Sequence, residues 1–162
     1  DEGLERPFSP TLAQMTEAAI AILSQDSDGF FLMVEGGQVD WASHDNDPEG
    51  TMDSVVGLDA AVALGQAYAQ SAGDVLLIVT ADHETGGMSV YQEGTGSFLE
   101  DGPFLMPDGT EFFVRWDGTG HTQVDVPVTA SGPWAHWLAG HYPNTFIYWV
   151  MYAALTGQPP PG

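Results

Sequence analysis

Two continuous apolar runs constrain this chain more than any other feature: Phe30-Phe31-Leu32-Met33-Val34 and Val75-Leu76-Leu77-Ile78-Val79-Thr80. Each has the length of a strand and lacks the alternation of a half-exposed one, so each suits a strand covered on both faces. Between them a long helix is expected from about Thr51 to Ala72, closed by Gly73-Asp74. Strand, helix, strand with both strands apolar throughout predicts an α/β fold, a mostly parallel sheet sandwiched by helices. Both runs stop abruptly, the first at Glu35-Gly36-Gly37 and the second at Ala81-Asp82-His83-Glu84-Thr85-Gly86-Gly87. Ligands in open parallel sheets bind beyond the carboxyl ends of strands. Chemistry is therefore expected at these two glycine-flanked ends.

The remaining organisation is read around that frame. Ser9-Pro10 has the form of a helix start, serine as N-cap and proline at the first helical position. Leu12, Met15, Ala19, Ile22 and Leu23 follow at near-helical spacing, and residues 25–29 end the helix. Residues 92–120 are rich in Gly and Asp and read as an inserted loop or subdomain with a hairpin turning at Pro107-Asp108-Gly109. A short strand is expected over residues 123–128. A last helix is expected from about Asn144 to Leu155 with Phe146, Ile147, Val150 and Met151 inward, and residues 157–162 read as a tail.

Charge excludes several partners. The chain has 23 acidic and 2 basic residues, Arg6 and Arg115, for a net charge of −21. A surface without lysine cannot neutralise a phosphate backbone and is repelled by anionic membranes, so neither nucleic acid nor membrane is an expected partner. Such charge can signal disorder, but 43% of residues are hydrophobic and 11% aromatic, enough for a core. The longest clearly apolar run, residues 146–155, is about half the length of a membrane span. Cysteine is absent, which removes disulfides and thiolate metal sites. The chain does not begin with Met and reads as a mature or internal fragment.

After the first apolar run come Glu35, Asp40 and His44; after the second come Asp82 and His83. Carboxylates and imidazoles suit zinc where no thiolate is available. Asp40 and His44 are four apart, so a helical turn presents both to one ion. Asp82 and His83 are adjacent, and a turning backbone at a strand end can direct both to one site. A capping aspartate or a solvated helix face would explain either cluster alone. Their recurrence at two equivalent strand ends favours metal binding. His136 and His141, among Trp137, Tyr142 and prolines, read as structural or surface groups. Glu84 follows His83, but no second histidine stands at the spacing of the helical zinc-protease motif.

Several strings resemble the alkaline phosphatase family: Gly29 through Gly37, Asp40-Trp41-Ala42-Ser43-His44, Val79 through Gly87, Gly120-His121-Thr122, and the later Gly132-Pro133 and Asn144-Thr145 pairs. They stand in family order and cover nearly the whole chain except the inserted region, which is variable in the family. The resemblance implies that Asp40, His44 and His121 hold a first zinc, Asp82 and His83 contribute to a second, and Glu35 ligates a neighbouring magnesium. It also implies hydrolysis of phosphate monoesters through a phosphoserine. Trp41 occupies a position that varies in the family; its indole offers neither a cation nor a ligand, and it would pack over the site and bias nearby water. The family's serine nucleophile, its phosphate-clamping arginine and its remaining metal ligands have no match. Ser43 lies between ligands where the family places no nucleophile, and Arg115 falls in the variable region, where surface pairing is expected of it.

The chain is thus expected to be the C-terminal portion of one alkaline phosphatase-like catalytic domain, spanning residues 1–162, with no catalytic group of its own. Its partners would be the N-terminal portion of the same enzyme, a phosphate monoester and a second copy in a homodimer. The family points to a periplasmic or secreted enzyme, and the acidity to a halophilic bacterial type. Two other readings stay open: a related metal-dependent phosphodiesterase or phosphotransferase, and a non-catalytic zinc-binding module derived from the family.

Overall fold

The computed structural model describes residues 9–97 and 100–160. Its elements are Leu12–Leu23 (α1), Gln38–His44 (α2), Pro48–Ala72 (α3), Leu77–Val79 (β1), Glu84–Thr85 (β2), Ser89–Tyr91 (β3), Glu100–Leu105 (β4), Glu111–Arg115 (β5), His121–Thr122 (β6), Thr129–Ser131 (β7), a 3-10 turn at Ala135–Leu138, and Thr145–Thr156 (α4). They group into two compact units. The first comprises residues up to 35, 56–79 and 129 onward; the second comprises 36–55 and 80–128.

In the first unit α1 begins two residues later than the Ser9-Pro10 signature predicts. Thr11 is the N-cap: its Oγ1 accepts from the Gln14 amide at 3.2 Å while Gln14 Oε1 accepts from the Thr11 amide at 2.9 Å. That reciprocal box needs a Glu or Gln three residues on. Ser9 has Leu12 there and cannot form it. The residue-plus-proline start occurs at α3 instead, which opens a turn earlier than expected with Pro48 in first position. Asp47 Oδ1 accepts the Gly50 amide at 3.0 Å just ahead of it.

Residues 30–34, expected as a buried strand, are extended but join no ladder among the described residues. Phe31 and Met33 are exposed, and Leu32, Met33 and Val34 line an open groove with Leu12, Met15 and Ala19 of α1. The run alternates between half-buried Phe30, Leu32 and Val34 and exposed Phe31 and Met33, so one face is half covered and the other open. Of residues 75–80 only the central three pair, as β1 with β7, in the register Leu77↔Ser131, Ile78↔Ala130 and Val79↔Thr129. Gly132 sustains this approach, since a β-carbon there would lie 2.0 Å from the Val75 carbonyl oxygen.

No strand forms over residues 123–128; the pairing residues flank them as β6 and β7. Pro127 has no amide hydrogen to give a ladder. The final helix matches its expectation closely, with Val150 and Ala153 fully buried and Gly157 ending it in the left-handed region. The described tail is irregular, yet Pro160 is buried.

The second unit holds a three-stranded antiparallel sheet in the order β3-β5-β4. Its hairpin turns where expected: Met106 N donates to Thr110 O at 2.9 Å, Asp108 Oδ1 accepts the Thr110 amide at 2.9 Å, and Gly109 has φ +85°. Val114 and Trp116 are the buried apolar residues of this unit. All ladders among the described residues are antiparallel, so the parallel neighbours expected for residues 30–34 and β1 do not lie among them. None of the described helices is long and apolar enough to cross a membrane.

Candidate metal centre

Three short elements of the second unit carry the candidate ligands. α2 presents Asp40 and His44 one turn apart, β6 begins with His121, and the segment entering β2 brings Asp82 and His83. β2 and β6 pair through Glu84↔Thr122 and Thr85↔His121, which brings His83, just ahead of β2, beside His121. Glu84 pins this corner. Its carboxylate accepts from the Gly87 amide at 3.2 Å, the Met88 amide at 3.1 Å and the Thr122 hydroxyl.

Four side chains converge. His44 Nε2 lies 3.5 Å from Asp40 Oδ1 and 3.1 Å from His121 Nε2, and His121 Nε2 lies 3.8 Å from Asp40 Oδ1. His83 stacks on His121 with ring centroids 3.5 Å apart. Asp40, His83 and His121 each offer a ligand atom within 4.8 Å of the others. Asp82 Oδ2 is 3.3 Å from His83 Nε2, and its side chain is 86% exposed. Glu35 is exposed and belongs to the first unit, as the other five do not. Trp41 is 65% exposed on α2.

The protons can be placed. Thr119 O can only accept, so His44 Nδ1, 2.5 Å away, carries a hydrogen and a neutral His44 keeps its lone pair on Nε2. That lone pair faces a second imidazole nitrogen and a carboxylate oxygen. The Thr85 hydroxyl donates to Asp40 Oδ1 at 2.6 Å. This bond, aided by the charges of His44, His121 and His83, holds the Asp40 carboxyl below the usual carboxylate range against the opposing effect of burial. A carboxylate and imidazole nitrogens brought this close are a donor set able to hold a divalent cation, and one that fits zinc.

Other groups fall where their chemistry suggests. Ser43 is buried, donates to Val39 O at 2.7 Å and meets Thr51 Oγ1 at 3.4 Å, so its hydroxyl serves the helix. Arg115 is exposed and pairs with Asp117 at 3.4 Å. His136, exposed, lies against Trp137 in the first unit. Sequence reading missed Thr85 and Thr119. Thr85 was findable, because a strand points residues 83 and 85 to one side. The Thr119 carbonyl carries no side-chain signal.

The family model for alkaline phosphatase matches residues 3–115. Alkaline phosphatase 3 of Bacillus subtilis (strain 168) is 46% identical, over 90% of this chain and 44% of its own length. The alkaline phosphatase of Escherichia coli (strain K12) is 35% identical over 90% of this chain and 32% of its own. Among solved structures, the alkaline phosphatase of the Antarctic bacterium TAB5 superposes with a TM-score of 0.79 at 32% identity, covering 94% of this chain and 42% of that one. The chain thus spans less than half the length of these relatives, and its α/β fold is a portion of theirs. On motif order, fold and family match together, the chain belongs to the alkaline phosphatase family.

Proposed function

We propose that this chain supplies the metal-binding portion of an enzyme that hydrolyses phosphate monoesters. The observation that carries the reading is the convergence of His44 Nε2, His121 Nε2 and the Asp40 carboxylate. Two imidazole nitrogens and a carboxylate oxygen brought this close could share one divalent cation. Asp40, His44 and His121 would hold a first zinc, Asp82 and His83 would contribute to a second, and Glu35 would serve a magnesium. A variant of the TAB5 enzyme solved with magnesium in a site named M3 supports metal use by a relative 31% identical to this chain. Ions held by these residues would supply positive charge to the oxygens exchanged at phosphorus.

The chain's own residues do the positioning. Thr119 O keeps the His44 proton on Nδ1 and leaves Nε2 free for the metal. Thr85 keeps Asp40 ionised and aimed. Glu84 holds the corner that carries His83 and His121. The attacking serine, and the phosphoserine formed on it, would belong to an N-terminal portion of the enzyme. Family resemblance supports a homodimer exported to the periplasm or beyond the cell, and Trp41 would pack over the site and bias nearby water.

The test is metal removal from the full-length enzyme carrying this chain. Prolonged treatment with a zinc chelator should abolish hydrolysis of p-nitrophenyl phosphate, and added zinc should restore it. His121→Ala should lower the zinc retained per chain. Full activity after exhaustive chelation would overturn the reading.

A further inference from the structure

Thr85 is buried, with 8% of its surface exposed, and its hydroxyl touches ligands proposed for two different ions. Oγ1 lies 2.6 Å from Asp40 Oδ1 and 3.2 Å from His83 Nδ1. A threonine hydroxyl has one hydrogen and two lone pairs. A carboxylate can only accept, so the hydrogen goes to Asp40. The contact with His83 must then run the other way, with Nδ1–H donating to Oγ1. In the neutral ring that places the His83 proton on Nδ1 and leaves the lone pair on Nε2, the atom 3.3 Å from Asp82 Oδ2.

We propose that Thr85 is a positioning residue for both zinc sites at once, one hydroxyl orienting Asp40 and selecting the metal-ready tautomer of His83. The inference rests on the metal reading above. His44 has a carbonyl to select its tautomer; His83 has this hydroxyl. The hydrogen bonds form a one-way chain, His83 Nδ1–H to Thr85 Oγ1–H to Asp40, with no spare proton to reverse it. Loss of the hydroxyl leaves His83 Nδ1–H without its acceptor and Asp40 without its donor. Both proposed sites then weaken together, although Thr85 itself binds neither ion.

Thr85→Val keeps the shape and removes the hydroxyl, and Thr85→Ser restores it. In the full-length enzyme, zinc affinity measured by competition with a chromophoric chelator should fall on the order of 10- to 100-fold for both ions in Thr85→Val. Thr85→Ser should return both to within a few-fold of wild type. Selective 15N labelling of histidine in zinc-free enzyme gives a readout independent of activity. His83 should carry its proton on Nδ1 in wild type and Thr85→Ser, and shift toward Nε2 in Thr85→Val.

Wild-type enzyme that binds no zinc would sink the metal reading and this proposal with it. Wild type that binds zinc while Thr85→Val binds it equally well, or weakens one ion alone, would overturn the proposal and leave the metal reading standing. Should Thr85→Val fail to fold, the wild-type spectrum still decides: a His83 proton on Nε2 refutes the assignment.

Discussion

A β-carbon on Gly86 would lie 2.5 Å from Trp116 Cε3, 2.8 Å from Cζ3 and 3.1 Å from the Ser43 carbonyl oxygen. Its φ of +87° is also one that side chains resist. Its peptide is fully engaged: the amide donates to Gly120 O at 2.9 Å, and the carbonyl accepts from Asp117 at 3.0 Å and Gly118 at 3.1 Å. Gly86→Ala combines overpacking with backbone strain and should cost about 3 kcal/mol in urea unfolding. Gly118→Ala meets nothing within 4 Å and should change stability by less than about 0.5 kcal/mol. Equal losses in the two variants would show that the Trp116 contact does not limit this corner. The glycine pair announced a turn in the sequence. That the turn is clamped under Trp116 was hidden, because the tryptophan stands thirty residues away, just past the end of β5.

At the level of elements, legibility followed local chemistry. The hairpin at 107–109 and α4 were readable because turn residues and helical spacing act within a few positions. Residues 30–34 join no ladder here, because burial on both faces depends on neighbouring strands that do not lie among the described residues. The Ser9-Pro10 start failed because the reciprocating glutamine stands three residues after Thr11. The loop leading into β4 shows a further local device. Glu100 accepts from the Thr95 amide at 2.8 and 3.0 Å, the Thr95 hydroxyl at 2.6 Å and the Gly96 amide at 3.0 Å. These bonds, the Thr95 hydroxyl foremost, hold its carboxyl below the ordinary glutamate value. A depressed folded pKa means the contribution is complete above the unfolded value, about pH 4.3, and is lost as pH falls through the folded one. Amide protection at Thr95 and Gly96, corrected for intrinsic exchange, should hold at neutral pH and drop below about pH 4. Glu100→Gln should show the drop already at neutral pH. Protection that stays flat into acid would remove Glu100 from this role.

For the whole molecule, charge dominates. Only Glu35, Asp40 and Asp82 are proposed as ligands among 23 acidic residues, so metal binding accounts for little of the net −21. The rest repels itself over roughly a Debye length, about 10 Å at 0.1 M salt, and screening relieves that repulsion. The urea midpoint should rise as sodium chloride goes from dilute to molar; a flat or falling midpoint would contradict it. Family membership was legible at this scale because the motifs are short, ordered and close to the chemistry. How their atoms meet was not, since it depends on hydroxyls and carbonyls that no motif records.

His44 and His121 meet at 3.1 Å although 77 residues separate them in sequence. A cation held by both would therefore act as a cross-link closing a long loop, and by chain entropy such a closure disfavours the unfolded state by on the order of 4 kcal/mol. The hairpin turn at 107–109 lies inside that loop. Were the backbone severed there, the ion would still join the two pieces, so the centre would serve the enzyme as a rivet as well as a reagent.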